Sequence, residues 1–298
     1  MTTHAARSWL FAPANHERRA TKALELDADA VILDLEDAVA IAEKPVTRAV
    51  VRDLLARPRT GAALVRVNAW NTEFCHGDID AVVGPDLDGI VLPKVESASC
   101  LIAIDWLIAN LERQRGLAHG SVDLVPIIET ARGLAGAREI AAAGTRVRRL
   151  AFGAGDFTLD LGITWSAHEN ELAHARSELV LASRCARLEP PVDTVFIDIR
   201  DHAGFRASAT LARDLGFQGK LCIHPDQVGI TNQVFSPSTA EVERCQTIVD
   251  AFEQAEQAGL ASIQVDGYFV DYPIYEKAVR TLASVRSSLS TDKRSASR

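Results

Sequence analysis

Short apolar runs separated by stretches of helical periodicity set the pattern of this chain. Residues 8–12 (SWLFA), 30–35 (AVILDL), 63–67 (ALVRV), 89–92 (GIVL), 124–128 (LVPII), 150–152 (LAF), 193–197 (DTVFI) and 220–223 (KLCI) are eight such runs. Their β-branched content fits parallel strands covered on both faces. Between them, residues 15–26 (NHERRATKALEL) place Ala20, Ala23 and Leu24 on one helical face, with Asn15 as a plausible cap. Residues 44–55 (Pro45 in the first turn), 97–111, 167–187 and 205–215 read as further helices. Leu134, Ala137 and Ala141 recur at helical spacing before a stop at Gly144.

Eight strands alternating with helices predict an α/β chain folded as a (β/α)8 TIM barrel rather than an open doubly wound sheet. The predicted division is a catalytic barrel over residues 1–235 and a C-terminal helical extension or lid over 236–298. In the extension, residues 238–259 read as a helix and the DGYFVDYP block as a short strand or turn. A final helix follows it, and the polar tail STDKRSASR is expected to fray.

The stretch 125–156 organises the chemistry. Glu129 directly follows one apolar run, and Asp156 follows the next after a Gly-Ala-Gly turn. A strand-helix-strand crossover makes the two strands parallel neighbours, so both carboxylates emerge at the same C-terminal edge. Two hard oxygen ligands without Cys or His beside them suit a Mg²⁺ that completes its shell with water and substrate. The alternative for either carboxylate is a helix N-cap or first-turn residue; against it, Thr130 is the better cap for the helix after Glu129. Glycines on both sides of Ala154 imply a backbone brought close to something, which makes Gly155 a substrate-binding candidate beside Glu129 and Asp156.

In a barrel of this kind the site lies at the C-terminal mouth. Glu36, Asp37, Arg66, Asn68, Lys94, Glu129, Asp156, Asp198 and His224 all fall there. A Mg²⁺ on two carboxylates with an arginine nearby can chelate a 2-oxo acid, and carbon-carbon cleavage or its reverse is the reaction that needs this arrangement. Arg66 is the candidate to neutralise the departing enolate, or a structural ion-pair partner of Glu36 or Asp37, and both can hold. Glu36 and Asp37 are either acceptors for metal-bound water or a solvated loop. Lys94 is a phosphate ligand, a counter-charge to the carboxylates or a surface lysine. His224 is either an acid-base group or a hydrogen-bonded structural residue. Arg18, Arg19 and Lys22 could meet the phosphates of a large carrier or form a solvated helix face.

Composition narrows the class of partner. A formal charge of -8 and a pI near 5.5 argue against nucleic acid or an acidic membrane surface. Five scattered cysteines without a C-x-x-C pair fit a reducing cytosol better than a disulfide framework or zinc site. The N-terminus lacks a signal-peptide layout and no apolar run approaches the roughly 20 residues of a membrane span, so a cytoplasmic protein is expected. No G-x-G-x-x-G or G-K-[ST] loop is present, which weakens a dinucleotide or nucleoside-triphosphate reading.

The blocks RSWLFAPANHERRATKA, ADAVILDLEDAVAIAEK, VRVNAW, DGIVLPKVESA, VPIIETARGL, LAFGAGDFTLDLG and GKLCIHPDQV resemble, in order, the motifs of the HpcH/HpaI aldolase and citrate lyase β-subunit superfamily. The likeness is to the citrate lyase β-like and malyl- or citramalyl-CoA lyase branch more than to the short pyruvate aldolases. It implies a (β/α)8 barrel, Mg²⁺, and reversible cleavage of a 3-hydroxyacyl-CoA thioester into a 2-oxo acid and an acyl thioester. It implies Glu129 and Asp156 as metal ligands, Arg66 as substrate and enolate partner, and Glu36 and Asp37 around the bound water. It further implies that Asp271, in the lid, acts as acid or base in a neighbouring subunit's site, within a homotrimer or a hexamer built from trimers. An acyl-carrier-dependent β subunit of a larger citrate lyase and a malyl-CoA thioesterase or malate-synthase-like enzyme are the alternatives. Pro13-Ala14 replaces the family's frequent Pro-Gly, and Phe269-Val270-Asp271 its Met before Ile-Asp, departures that touch carrier-phosphate binding and the lid contacts.

Overall fold

The eight apolar runs pair in sequence order into a closed parallel barrel. A computed structural model of the protein describes residues 6–295, with side chains described to residue 285. The strands are β1 (Ser8–Pro13), β2 (Ala30–Asp34), β3 (Ala62–Arg66), β4 (Gly89–Leu92), β5 (Asp123–Ile128), β6 (Ala151–Phe152), β7 (Val192–Asp193) and β8 (Gly219–Cys222). The helices of this unit are α1 (Glu17–Leu24), α2 (Lys44–Leu55), α3 (Cys75–Val82), α4 (Ala98–Gln114), α5 (Ala131–Ala135), α6 (Ala137–Ala141) and α7 (Ala154–Leu161), followed by α8 (Ala173–Cys185), α9 (His202–Leu215) and α10 (Pro225–Val234).

Both strand faces are apolar for a structural reason. Trp9, Ile32, Leu64, Val91, Val125, Ile127, Val192 and Leu221 fill one cluster inside the barrel, while Leu10, Val31, Leu33, Val65, Ile90 and Leu124 join a second one with the helices. Between strands and helices there is also a buried ionic cluster. Arg176 on α8 forks onto Asp193 at 2.8 and 3.0 Å and reaches Glu169 at 2.8 Å, and Lys220 also donates to Asp193. Burial pushes the Asp193 carboxyl up, but Lys220 and Arg176 outweigh it and hold the group below its ordinary range.

The structure departs from the sequence reading at several ends. Asn15 is not the cap of α1: His16 holds that position, and the Asn15 amide donates to Glu43 at 3.0 Å. Strand β7 stops at Asp193 rather than 197, because the Thr194 hydroxyl turns to accept the Ala154 N–H at 2.8 Å. The helix after β5 is two short ones broken at Gly136, with Thr130 capping α5 through the Gly133 N–H as expected. Helix α8 begins at Ala173 because Ser166 and Glu171 bond to each other and Glu169 takes φ 53°.

The second compact unit covers Ser236–Arg298. It contains α11 (Thr239–Gln257), the antiparallel hairpin β9 (Ser262–Val265) and β10 (Tyr268–Asp271), and α12 (Tyr272–Ser295). Asp266 and Gly267 turn the hairpin with φ of 50° and 83°, the left-handed pair that an Asp-Gly turn provides. Where one short strand or turn was expected there are two strands. The tail expected to fray is helical as far as Ser295, and residues 296–298 lie outside the described residues. Among the described residues no helix is long and apolar enough to cross a membrane.

Candidate active site

Asp34 and Arg66 end neighbouring strands in direct register, and they set the first half of the site. Asp34 takes Arg66 Nε at 2.7 Å and Nη2 at 2.6 Å in a two-toothed pair. The same carboxylate accepts the N–H groups of Glu36 at 2.9 Å and Ala38 at 3.1 Å, folding the chain after β2 into a tight turn. That turn sends Glu36 and Asp37 toward the third nitrogen of the fork: Nη1 is 3.0 Å from Glu36 Oε2 and 3.2 Å from Asp37 Oδ2. The ion-pair reading of Arg66 is what the structure shows: the guanidinium is the hub of three carboxylates at the mouth. Burial opposes its charge, but Asp34, Glu36 and Asp37 outweigh that and hold the guanidinium above its ordinary value. The Phe11 ring lies 4.8 Å beneath it.

The loop is anchored from below by Lys44, which was not singled out as a candidate, and by Asn68, which was placed at the mouth. Lys44, buried at the start of α2, donates to the carbonyls of Leu35 at 3.0 Å and Glu36 at 2.6 Å and to Asn68 Oδ1 at 2.6 Å. Asn68 in turn donates to Asp78 on α3 at 2.7 Å. Asp34 and Lys44 were the missed positions. The signal for Asp34 was its place as the last residue of an apolar strand, masked by the acidic pair that follows it.

The second half of the site is built on Lys94 and Glu129. Lys94 takes a left-handed backbone, φ 52°, which points its N–H at Glu129 Oε1 across 2.8 Å. Its ammonium donates to Glu36 Oε1 at 2.7 Å and lies 3.7 Å from Asp156 Oδ2. The reading of Lys94 as a surface lysine is thereby corrected: it joins the carboxylates of three strand ends. Glu129 is 3% exposed. Burial, then repulsion from Glu36 and Asp156, pushes its carboxyl up to about 8, against the opposing pull of Arg66 and the Lys94 N–H.

What reads in the sequence as a Gly-Ala-Gly turn is the start of α7, with Gly153 at the cap position and Asp156 in the first turn, where the helix N-terminus favours a negative charge. Gly153 has no room for a side chain, since a Cβ there would fall 2.3 Å from Glu129 Oε2. Gly155 is different: a Cβ there would meet only the Trp165 ring at 3.9 Å, so its backbone faces open space. Asp271, at the end of β10 in the C-terminal unit, accepts the Ile274 N–H at 3.3 Å. Asp198 accepts the N–H of Arg200, and His224 caps α10 by accepting the Asp226 N–H at 3.2 Å, which is the structural reading of that histidine. Arg18, Arg19 and Lys22 lie on an exposed face of α1.

The charge balance tests whether a cation fits. Asp34, Glu36, Asp37, Glu129 and Asp156 bring five carboxylates to a mouth where Arg66 and Lys94 are the cations in contact with them. Five acids on two bases is an arrangement that a divalent cation relieves. Among the described residues no three His, Cys, Asp or Glu side chains converge as a metal-holding group.

A closed parallel barrel with acidic side chains gathered at its C-terminal mouth defines an enzyme of the TIM-barrel class. Residues 7–225 match the HpcH/HpaI aldolase/citrate lyase family, and the chain belongs to that family. It is 35% identical to citrate lyase subunit beta of Leuconostoc mesenteroides subsp. cremoris, over 93% of this chain and 92% of that one. It is 37% identical to a (3S)-malyl-CoA thioesterase of Cereibacter sphaeroides, over 95% and 96% of the two chains. The crystal structure of CitE from Mycobacterium tuberculosis in complex with magnesium, acetoacetate and coenzyme A superposes with a TM-score of 0.74 at 32% identity, over 94% of this chain and 97% of that one.

Proposed function

We propose that the protein is a Mg²⁺-dependent carbon-carbon lyase that cleaves or forms a 3-hydroxyacyl-CoA thioester, giving a 2-oxo acid and an acyl-CoA. The observation that carries this reading is the excess of carboxylates around buried Glu129, beside a guanidinium fixed at the same mouth. Support comes from the relative crystallised with magnesium, acetoacetate and coenzyme A, and from a citrate lyase beta subunit of M. tuberculosis complexed with oxaloacetate and magnesium.

Glu129 and Asp156 would hold the ion, and Glu36 and Asp37 would accept from its waters. When bound there, such an ion would supply Lewis-acid polarisation of the substrate's keto oxygen. Arg66 neutralises the oxygen that gains charge as the carbon-carbon bond breaks, and it does so without reorganising, because Asp34 fixes its plane. The Gly155 backbone offers an unobstructed face to the bound acid. Asp271 serves as acid or base in the site of an adjacent subunit of a homotrimer or hexamer.

The test is to incubate the purified protein with malyl-CoA or citramalyl-CoA and Mg²⁺ and to assay glyoxylate or pyruvate. Release that stops on chelation supports the reading, and absence of both release and condensation sinks it. A second reading, thioester hydrolysis, is favoured by the 37% identity to a malyl-CoA thioesterase. Free malate, with CoA released and no glyoxylate, identifies it. Activity that appears only with added acyl carrier protein would instead assign the chain to a larger citrate lyase.

A further inference from the structure

Lys94 spends backbone strain to stand where it does. A non-glycine residue held at φ 52° is strained and persists only where its surroundings fix it. Here the fixing contacts are the Glu129 carboxylate on its N–H and the Glu36 carboxylate on its ammonium. The third acid, Asp156, lies 3.7 Å from the ammonium, longer than a hydrogen bond and held by charge alone. The side chain is one-third exposed, so the ammonium can move outward into water.

We propose that Lys94 is a resident counter-cation that competes with the divalent ion for Asp156. This deepens the reading of Glu129 and Asp156 as metal ligands and rests on it. Glu36 holds Lys94 at 2.7 Å and is independently paired with Arg66 at 3.0 Å, so the anchor survives when the Asp156 contact is given up. An ammonium already near Asp156 lowers the free energy of the metal-free site and therefore weakens the ion's net affinity. It keeps the acids from repelling one another before the ion arrives.

The test is calorimetric titration of Mg²⁺ into the metal-free full-length protein and its K94M and E129Q variants, with thermal unfolding of each in chelator and in saturating Mg²⁺. K94M keeps the aliphatic stem and the backbone N–H while removing the charge. Expected is Mg²⁺ binding to K94M tighter than wild type by about tenfold, the size of one partly buried ion pair. A lowered melting temperature in chelator that recovers in Mg²⁺ is expected with it. Unchanged or weaker Mg²⁺ binding by K94M overturns the proposal while leaving the metal site in place. Failure of wild type to bind Mg²⁺, or binding that E129Q does not weaken, overturns the metal reading and this proposal together. K94Q, which also lacks the charge, replaces K94M if the methionine variant does not fold.

Discussion

Gly153 lies so close against Glu129 that a Cβ on the glycine would fall 2.3 Å from Oε2 and 2.7 Å from the glutamate Cβ. The two residues sit opposite each other just past the paired ends of β5 and β6, where Ile128 is in register with Phe152. The glutamate is hemmed in by β6 on one side and by the Lys94 N–H on the other, and that enclosure aims its carboxylate.

Gly153→Ala must therefore move Glu129 or push the start of α7 away. Movement of α7 is resisted by the Ala154 N–H bond to Thr194 and the Asp160 carboxylate on the Ala131 N–H. The expected outcome is displacement of Glu129, with Mg²⁺ affinity and turnover each down by about 100-fold, since an ångström of misplacement costs that much. Calorimetry and steady-state assays check it; wild-type affinity in G153A would show that Glu129 is not a ligand.

Glu129 also predicts a pH dependence. A carboxyl raised to about 8 in the folded chain binds its proton more tightly folded than unfolded, so its contribution favours the fold at low pH. That contribution is lost as pH rises from the ordinary carboxylate range through about 8. Metal-free wild type should lose stability across this window relative to Glu129→Gln, with a slope of up to about 1.4 kcal/mol per pH unit from one proton. Mg²⁺ must displace the same proton, so wild-type affinity should climb with pH and level off near 8. Urea unfolding and calorimetry across pH measure the two; a slope equal in wild type and E129Q contradicts the assignment.

Asp34 and Asp37 both touch Arg66, and their burial separates them. Asp34 is 5% exposed and bonds two backbone N–H groups as well as the fork, whereas Asp37 is 59% exposed. Asp34→Ala strips a buried charge of its best partner and releases the turn that carries Glu36. It should cost about 3 kcal/mol by urea unfolding and lower turnover about 100-fold through the freed guanidinium. Asp37→Ala should change stability by less than about 1 kcal/mol, as exposed ion pairs do. Equal costs for the two would show that Arg66 is not clamped as described.

The frame of this site was legible because parallel strands covered on both faces leave uninterrupted apolar runs, and each run ends near the residue that matters. Arg66, Glu36, Asp37 and Glu129 stand at or just past strand ends for that reason, and Asp156 stands in the first turn of the helix that follows β6. What was hidden depends on conformation or on long side chains. Nothing local says that Lys94 is left-handed, and nothing says that the Lys44 amine reaches back to the carbonyls of Leu35 and Glu36. Helix α7 was read as a turn because glycines, poor helix formers, flank Ala154 at its start, and Gly153 at the cap is there because a Cβ would strike Glu129. Helix α3 escaped because its buried face carries Asp78, paired with Arg48 at 2.8 Å, where periodicity looks for an apolar residue. The Asp-Gly signal of the β9–β10 hairpin was present at 266–267 and went unused because β9, though it alternates polar and apolar residues, is only 4 residues long.

Asp271 poses the remaining question, and its position allows a decisive experiment. It lies at the end of β10, paired with Ser262, and its carboxylate accepts a long hydrogen bond from the Ile274 N–H. If it serves the site of an adjacent subunit, Asp271→Asn and Glu129→Gln impair different halves of a shared site. Each variant alone should lose at least about 100-fold in turnover, the range of one general acid or base. A mixed oligomer, in which an intact Glu129 from one chain faces an intact Asp271 from the other, should regain activity. Co-expressing the two with different tags, isolating doubly tagged oligomers and assaying them measures this. In a cyclic trimer that contains both variants, one interface of the ring combines both native residues, so recovery should approach about a third of wild type. Doubly tagged oligomers that remain as inactive as the parents would place Asp271 outside any neighbour's site, and a doubly tagged species that never forms would remove the oligomer on which the shared site depends.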